Sequence, residues 1–311
     1  MSVTLAMVAT AVLSLTTHTD TTLTVKQGAR LDLDNFGGEI VVNTWNKDAI
    51  RIVAEHSTRT YIEIERDGPR LSVHAENRRG VPSEVDFVLT VPTWMGLELS
   101  GVYTDVVVNG TKSDVKAETV QGDVTVNGGS GYVQLSSVEG RVKVTGTSGR
   151  IELSAVNEGI EVTNVSGELT IEGVNGDVEI RGATATSVEA STVNGEISFE
   201  GDLRKDGRYQ FSTHNGDISI GIPERSDVEV SVSTYSGDFD TTFPVSYTKS
   251  RRGRSFEFKL GAGGAQLEIE SFQGQVDLHR PGERPNASSD EEGQHEKSKH
   301  KSKDNDEENR P

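Results

Sequence analysis

The sequence VKAETVQGDVTV at residues 115–126 contains the unit from which most of the chain is built. Apolar residues alternate with polar ones before the Gly-Asp step and again after it. This period of two predicts a short β-strand on each side of a tight turn. Val115 and Ala117 should face one side of the sheet, while Lys116 faces water. The glycine allows the backbone conformation that a sharp reversal needs.

The same pattern returns every 18 to 21 residues between Leu97 and Val230, and this constant period indicates one supersecondary unit stacked on copies of itself. Copies begin at Leu31, Leu97, Val115, Val133, Ile151, Leu169, Val188, Tyr209 and Val230, with an outlying copy at Leu267. The residues assigned to structural turns are Gly38, Gly122, Asp123, Gly140, Gly176, Asp177, Gly195, Gly216, Asp217, Gly237 and Gly274.

The repeat predicts an all-β fold, a single-chain parallel β-solenoid of the β-helix type with an N-terminal β cap. If each copy follows the course of the one before it, equivalent strands lie parallel and in register. The apolar slots then stack into ladders, of which one is Val115, Val133, Ile151, Leu169, Val188 and Tyr209. The alternative is a β-sandwich of duplicated hairpins. The recurrence of side-chain type slot by slot favours the solenoid.

The composition agrees with a thin two-sheet core. Only 33% of the residues are hydrophobic and 5% are aromatic, and 33 are glycines. We expect Val, Ile and Leu to fill narrow rungs in which large rings would not fit. The chain has no cysteine, which excludes a disulfide framework and a thiol nucleophile. Its formal net charge of −18 argues against nucleic-acid binding and suits a solvated exported protein.

Four segments follow from the pattern. Residues 1–19 are predicted to be a signal peptide, because VTLAMVATAVLSL at residues 3–15 is apolar but too short to span a bilayer as a helix. No Lys or Arg precedes Lys26, so a buried N-terminal strand is the alternative. Residues 20–96 form the cap and residues 97–279 the solenoid repeats continuous with it. Residues 280–311, rich in Ser, Glu, Lys and Pro, are predicted to be a disordered charged tail. The mature chain would then have no transmembrane segment.

Basic residues are concentrated in insertions that follow the second strand of the later repeats. We expect loops at this common junction to emerge along one edge of the solenoid and to form a basic patch on an acidic body. Such a patch would contact an anionic envelope component, such as a phosphate-bearing lipid, a wall polymer or an acidic polysaccharide. The alternative is a set of solvated loops whose cations balance nearby carboxylates. The candidate binding residues are Arg204, Lys205, Arg208, Lys249, Arg251, Arg252, Arg254 and Lys259.

Acidic residues recur in one turn slot, and an Asn often lies two residues before it. Stacked oxygens of this kind could bind Ca²⁺. Ordinary turn chemistry is the favoured interpretation, because Asp and Asn bond nearby backbone and Arg141 and Gly159 interrupt the ladder. No metal site and no cofactor are predicted. The acidic slots are Glu39, Asp105, Asp123, Asp177, Glu196, Asp217 and Asp238, and the preceding Asn residues are Asn157, Asn175, Asn194 and Asn215.

The sequence predicts that the protein is not an enzyme. No two histidines of the folded region have metal-ligand spacing, and no Gly motif of the phosphate-cradling type is present. His214, beside the third apolar slot of its repeat, is interpreted as a partly buried turn histidine. Abundant carboxylates leave a polysaccharide-active enzyme as an alternative.

With the G-D/E-apolar repeat and the closing segment LEIESFQGQV at residues 267–276, the chain resembles the bacterial "putative adhesin" family of domains of unknown function. The likeness covers about residues 31–278. It implies a β-solenoid-like fold, an extracytoplasmic location and an adhesin-like binding or structural module at the bacterial cell envelope. Because family members often lie near envelope-stress regulators, it also implies an alternative, a stress component that binds a protein partner through strand addition at one end.

Overall fold

The computed structural model describes residues 16–77, 80, 83–245, 248–249 and 254–283. These residues fold into β-strands and connecting turns without any α-helix. None of the described elements is therefore a helix long and apolar enough to cross a membrane. The described residues divide into two compact units, with the boundary between Arg150 and Ile151.

Eleven strands lie wholly in the first unit, and a twelfth, β12 (Ser148–Ala155), begins there. The eleven are β1 (Thr16–Thr24), β2 (Arg30–Trp45), β3 (Ala49–Ser57), β4 (Thr60–Asp67), β5 (Arg70–Asn77), β6 (Val85–Pro92), β7 (Gly96–Thr111), β8 (Val115–Gln121), β9 (Val124–Gly128), β10 (Ser130–Glu139) and β11 (Val142–Thr145).

Each rung of the first unit contributes to two ladders of strands. The first ladder has the order β4–β5–β2–β7–β8–β10, and the second has β1–β3–β6–β2–β7–β9–β11. The long strands β2 and β7 pass from the first ladder to the second. All pairs between rungs are parallel, whereas β4, β3 and β1 are antiparallel strands that close one end.

The second unit contains twelve further strands. They are β13 (Ile160–Thr163), β14 (Ser166–Gly173), β15 (Val178–Asn194), β16 (Ile197–Gly201), β17 (Arg208–Asn215), β18 (Ile218–Gly221), β19 (Val228–Thr234), β20 (Phe239–Thr241), β21 (Thr248–Lys249), β22 (Arg254–Leu260), β23 (Ala265–Gln273) and β24 (Val276–His279).

The stacking order of the second unit differs from its chain order. Its first ladder is β14–β15–β17–β23–β19–β22–β21, and its second is β13–β15–β16–β18–β24–β20. Leu267 lies between Tyr209 on one side and Val230 on the other. The segment predicted to close the chain is therefore an interior rung, inserted between two rungs that precede it in sequence.

The in-register parallel ladders confirm the solenoid prediction. Val115 pairs with Val133 in the first unit. In the second unit Leu169, Val188 and Tyr209 follow one another across adjacent strands. Their side chains are at most 2% exposed, so the ladders form the core. The alternative, a β-sandwich of duplicated hairpins, is excluded, because all pairs between solenoid rungs in the described residues run parallel.

One expectation about the core is wrong. Large rings do fit into the rungs of the second unit, where Tyr209, Phe199 and Phe211 are fully buried. The Phe199 and Phe211 ring centroids are 5.2 Å apart. The Tyr209 hydroxyl donates a hydrogen bond to the carbonyl of Ala185 at 2.7 Å, which satisfies the polar end of the ring. Burial raises the pKa of this hydroxyl above its ordinary value.

The turn glycines are needed because successive rungs approach closely at this corner. A Cβ atom on Gly140 would lie 1.9 Å from the carbonyl oxygen of Gly122, and one on Gly195 would lie 2.2 Å from that of Gly176. Neither Gly140 nor Gly195 has a positive φ, so contact between backbones excludes a side chain there. Both glycines lie between the two strands of their rungs, and close approach gives a physical reason for glycine there.

Two predicted segment boundaries fall inside ordered structure. Residues 16–19, the end of the predicted signal peptide, lie in β1, where Asp20 also pairs with Arg51. At the other end Arg280 donates hydrogen bonds from its backbone N–H and Nη1 to Thr242. Residues 1–15 and 284–311 lie outside the described residues, so the signal-peptide and disordered-tail predictions for them stay predictions.

Candidate functional site

The first group of predicted binding residues lies in the connection between β16 and β17. The backbone N–H of Arg204 donates to the buried Tyr209 hydroxyl at 2.7 Å, which fixes the loop. Lys205 lies beside Gly264, and Arg208 begins β17 opposite Gln266. These cations therefore lie at the end of the first ladder where its parallel strands begin.

The second group, in the long insertion, is not gathered at that end. Strand β22 runs antiparallel to β19, so Lys259 lies opposite Glu229 while Arg254 lies opposite Thr234. Five residues of strand separate the two positions by about 17 Å. Only the backbones of Lys249 and Arg254 are described, and Arg251 and Arg252 lie outside the described residues. The described candidate cations therefore lie at both ends of the strands, and not along one edge as predicted.

Lys259 is not a free cation. Its Nζ contacts the Glu229 carboxylate at 2.5 Å, and both side chains are largely exposed. Such a surface pair contributes little to stability, but it neutralises the charge that an anionic partner would need. At this position the structure favours the interpretation in which basic side chains balance neighbouring carboxylates.

The acidic turn slots act within the backbone, as the turn interpretation predicts. Asp123 Oδ1 accepts a hydrogen bond from the backbone N–H of Arg141 at 2.7 Å. Asp177 accepts one from Glu196 at 2.8 Å, and Asp217 accepts one from Gln275 at 2.7 Å. Each carboxylate therefore binds the N–H of the same slot in the adjacent rung. Among the described residues no cluster of three or more acidic, His or Cys side chains has metal-binding geometry.

The asparagines of the second unit form their own ladder beside the turns. Asn194 Nδ2 donates to Asn175 Oδ1 at 2.9 Å, and Asn215 Nδ2 donates to Asn194 Oδ1 at 2.8 Å. Asn175 in turn donates to Asn157. These side chains are exposed, but each amide is occupied by its neighbours. Their role is to tie successive rungs together at the corner.

A surface that the sequence analysis missed is the third apolar slot of the repeat, which points outward. We call five of its six members in the second unit the third-slot column: Val174, Val193, His214, Phe272 and Tyr235. The sixth, Val156, is only partly exposed. All five are exposed, Tyr235 at 75%. In the first unit Val120 and Val138 occupy the same slot and are also exposed. His214 is therefore an exposed member of the column and not the partly buried histidine that we expected.

The signal for this surface was present in the sequence. The third slot lies five residues after the first in every copy, and an odd spacing places a strand side chain on the opposite face. The residue before it is a buried Thr or Ser in six of the ten copies. The Thr213 hydroxyl, for example, is buried and donates to the carbonyl of Gly195 at 3.2 Å. A buried hydroxyl thus replaces the apolar residue that the core would otherwise take next to the turn.

Three rings of the third-slot column form a stack across adjacent strands. The His214 and Phe272 ring centroids are 4.6 Å apart with planes at 7°. Those of Phe272 and Tyr235 are 4.7 Å apart with planes at 5°. The parallel register of β17 and β23 and of β23 and β19 produces this arrangement. The stack therefore presents an exposed row of three rings across three adjacent strands.

A shallow groove of about 340 Å³ runs beside the aromatic stack. Phe272 and Tyr235 form its apolar wall, and Ser212, Ser233 and Glu270 are among the residues that line the rest. The groove therefore combines exposed rings with hydroxyl and carboxylate hydrogen-bonding groups. Exposed contiguous apolar surface rimmed by polar residues is typical of an interaction site.

One group of side chains resembles a catalytic triad in composition but not in arrangement. On the outer face of the first unit, Asp34 accepts a hydrogen bond from the Ser100 hydroxyl, and its other oxygen lies 3.2 Å from His74 Nδ1. The carboxylate is thus between the hydroxyl and the imidazole. Nucleophilic catalysis needs the imidazole in contact with the hydroxyl, so this trio cannot activate the serine.

Asp277, on the outer face of β24, gives a pH-dependent prediction. Burial and the nearby carboxylates of Asp240 and Asp217 raise its pKa, although Gln275 donates a hydrogen bond to it. The protonated form is favoured in the folded state, so this contribution to stability is lost as the pH rises through the raised pKa. We expect Asp277→Asn to raise the free energy of unfolding by about 0.5 kcal/mol at neutral pH.

The matched measurement is thermal unfolding of both proteins from acidic to neutral pH. The advantage of Asp277→Asn should shrink as the pH falls below the raised pKa, because the wild-type carboxyl is then neutral as well. Asp86→Asn, at an exposed carboxylate of the first unit, is the control and should show no such stabilisation at neutral pH. An advantage of Asp277→Asn that is the same at every pH would contradict the assignment.

One family model and several solved structures match the chain. The family model described as Toastrack DUF4097 matches residues 29–279. Among solved structures, a "putative adhesin" from Bacteroides fragilis is 13% identical, with a TM-score of 0.43, and the match covers 84% of this chain and 97% of that one. A "putative lipid binding protein" from Parabacteroides distasonis is 11% identical, with a TM-score of 0.38 and coverage of 84% and 96%. A "putative adhesin" from the same organism is 14% identical, with a TM-score of 0.30 and coverage of 84% and 97%. No curated protein sequence matches the chain.

Proposed function

Because the chain belongs to the Toastrack DUF4097 family, we propose that it is an exported, non-enzymatic binding module of the bacterial cell envelope. In this proposal the solenoid is a rigid scaffold, and the third-slot column with its groove is the contact surface. The partner is a component of the envelope. A fold alone does not determine a function, so the proposal depends on the residues of this surface.

The observation that carries the proposal is the exposure of apolar residues in the same slot of successive rungs. A solenoid needs its inward slots to be apolar, but it has no need of exposed Val, Phe and Tyr on the outer face. Phe272 is 40% exposed and Tyr235 is 75% exposed, and both border a groove with polar groups. Aromatic residues in such settings contribute much of the binding energy at interaction surfaces.

The test is binding of the purified full chain to isolated envelope fractions. We expect the double variant Phe272→Ser/Tyr235→Ser to bind at least tenfold more weakly, because it removes the aromatic wall of the groove and leaves the buried slots untouched. The matched control is Tyr61→Ser/Val88→Ser, which also removes two exposed apolar side chains, each 44% exposed, but away from the column. Unchanged circular dichroism would show that both variants are folded.

Undiminished binding of the double variant would reject the column as the contact surface. Treating the envelope fractions with protease before the assay separates the two partner classes, since a protein partner would be destroyed and a glycan or lipid would remain. A variant with Arg251, Arg252 and Arg254 changed to Glu tests the basic insertion as the alternative contact. Loss of binding in that variant alone, and more at low salt than at high salt, would favour an anionic partner there.

A further inference from the structure

A cavity in the first unit lies between two turns at the end where the strands of the first ladder begin. The turn from β1 to β2 forms one wall, and the turn from β4 to β5 forms the other. The cavity has a volume of about 420 Å³, which is within the range of small-ligand pockets. It is distinct from the third-slot column, so a test of ligand binding in this cavity is independent of the proposed function.

Three cations line this cavity: Lys26, Arg66 and Arg70. Among the described residues that line it there is no carboxylate. Arg70 is paired with Asp32 at 3.2 Å and with Glu98 at 3.9 Å, both outside the lining, so its charge is already balanced. Lys26 and Arg66 form no ion pair with any carboxylate of the described residues, although the whole chain has a formal net charge of −18. The cavity therefore holds a local excess of positive charge on an acidic protein.

The two walls are tied together before any ligand arrives. Arg66 Nη2 donates a hydrogen bond to the carbonyl of Thr24 at 2.8 Å, which joins β4 to the end of β1. The backbone N–H of Arg30 donates to the carbonyl of Pro69 at 2.9 Å, which joins β2 to the other turn. A site whose parts are already fixed loses less entropy when a ligand binds.

The lining is apolar as well as cationic. The buried side chains of Val25 and Leu71 line it together with Ala29 and Pro69. A cavity of this volume is too large for a single inorganic ion, and its apolar part would contact carbon. The Arg66 guanidinium and the Lys26 ammonium together match the several oxygens and the charge of a phosphoryl group, whereas one cation would suffice for a carboxylate.

We propose that this cap cavity binds a phosphoryl group carried on a short carbon chain, with Lys26 and Arg66 as its ligands. The chemistry is that of glycerol phosphate, which occurs both as a lipid headgroup and in soluble or polymeric form. The anion binds between the two turns, and the carbon chain packs on the accessible Ala29 and Pro69.

The experiment titrates the full chain with sn-glycerol 3-phosphate by calorimetry and, in a second arm, sediments it with phosphatidylglycerol vesicles. We expect saturable binding in at least one arm, with at least tenfold weaker binding for Lys26→Gln/Arg66→Gln. Binding to the soluble probe alone indicates a free or polymeric phosphate, and binding to vesicles alone indicates a lipid headgroup. Binding in both arms indicates that the shared group suffices.

The matched control is Lys47→Gln/Arg59→Gln, which removes the same charge from exposed positions of the same unit outside the cavity lining. It should bind like the wild type. Lys26→Arg/Arg66→Lys keeps both charges and should retain most of the binding, which separates loss of charge from loss of folding. The proposal is overturned if neither probe binds, if the cavity variant binds like the wild type, or if the control variant loses as much.

Discussion

Gly195→Ala is expected to destabilise the second unit by about 3 kcal/mol or more, although it adds only one methyl group. The added Cβ would lie 2.2 Å from the carbonyl oxygen of Gly176 and 2.6 Å from its carbonyl carbon. Real Cβ atoms do not approach backbone so closely. A flexible side chain could turn away, but here both neighbours are backbone, so the rungs themselves must separate.

The loss of stability is increased further by the hydrogen bonds that join the two rungs at this corner. The buried Thr213 hydroxyl donates to the carbonyl of Gly195, and Thr192 donates to that of Gly176. Asn175 and Asn194, one residue before each glycine, are hydrogen-bonded to each other. Separating the rungs would strain all of these bonds, and a buried hydroxyl without a partner is costly.

The measurement is urea unfolding of the full chain, monitored with a spectroscopic probe attached in the second unit. Gly264→Ala is the control, because this glycine has no positive φ and a Cβ there would meet nothing closer than 3.4 Å. That variant should change stability by less than about 1 kcal/mol, and its reduced unfolded-state entropy favours a small gain. Equal effects of the two substitutions would show that contact between rungs does not determine the glycine positions.

The sequence predicts the parts of this fold that arise from local repetition. Alternating apolar residues at a constant period define two strands for each rung and place Val115 beside Val133. The burial of Thr213 and the exposure of His214 follow from the same rule of alternation, once the odd spacing of the third slot is counted. Our interpretation of the third slot was wrong because it considered only that its residues are apolar. It did not consider that an odd spacing places them on the outer face.

The stacking order of the last rungs could not be predicted in this way. Each copy has the same slots, so the pattern at Leu267 fits equally well beside Tyr209, beside Val230 or between them. The choice depends on non-local pairing and on the insertion that forms β22. The expected basic edge was divided for the same reason, since a strand that folds back carries Arg254 and Lys259 to opposite ends. The cap cavity also went unpredicted, because Lys26 and Arg66 are distant in sequence and come together only through the pairing of two turns.

The interior position of β23 predicts a severe effect of truncation. A chain ending at Gly264 would lose β23 and β24, and with them the buried Leu267, Ile269, Val276 and Leu278. Both ladders of the second unit would then be cut between rungs. We expect this chain to lose cooperative unfolding of the second unit and to aggregate, because β17 and β19 would each expose an unpaired edge beside an open apolar core.

A terminal rung would behave differently. If residues 265–279 merely capped the stack, their removal would shorten the solenoid and leave the pairing of β19 with its neighbours intact. In the interior arrangement, truncation at Gly264 would leave β19 and β20 with no parallel partner, since β23 and β24 are the strands that join them to the rest of the unit. Truncation after Glu283, which removes none of the described residues, is the control and should leave the melting temperature unchanged. A chain ending at Gly264 that stays monomeric and melts cooperatively near the wild-type temperature would refute the interior placement of β23.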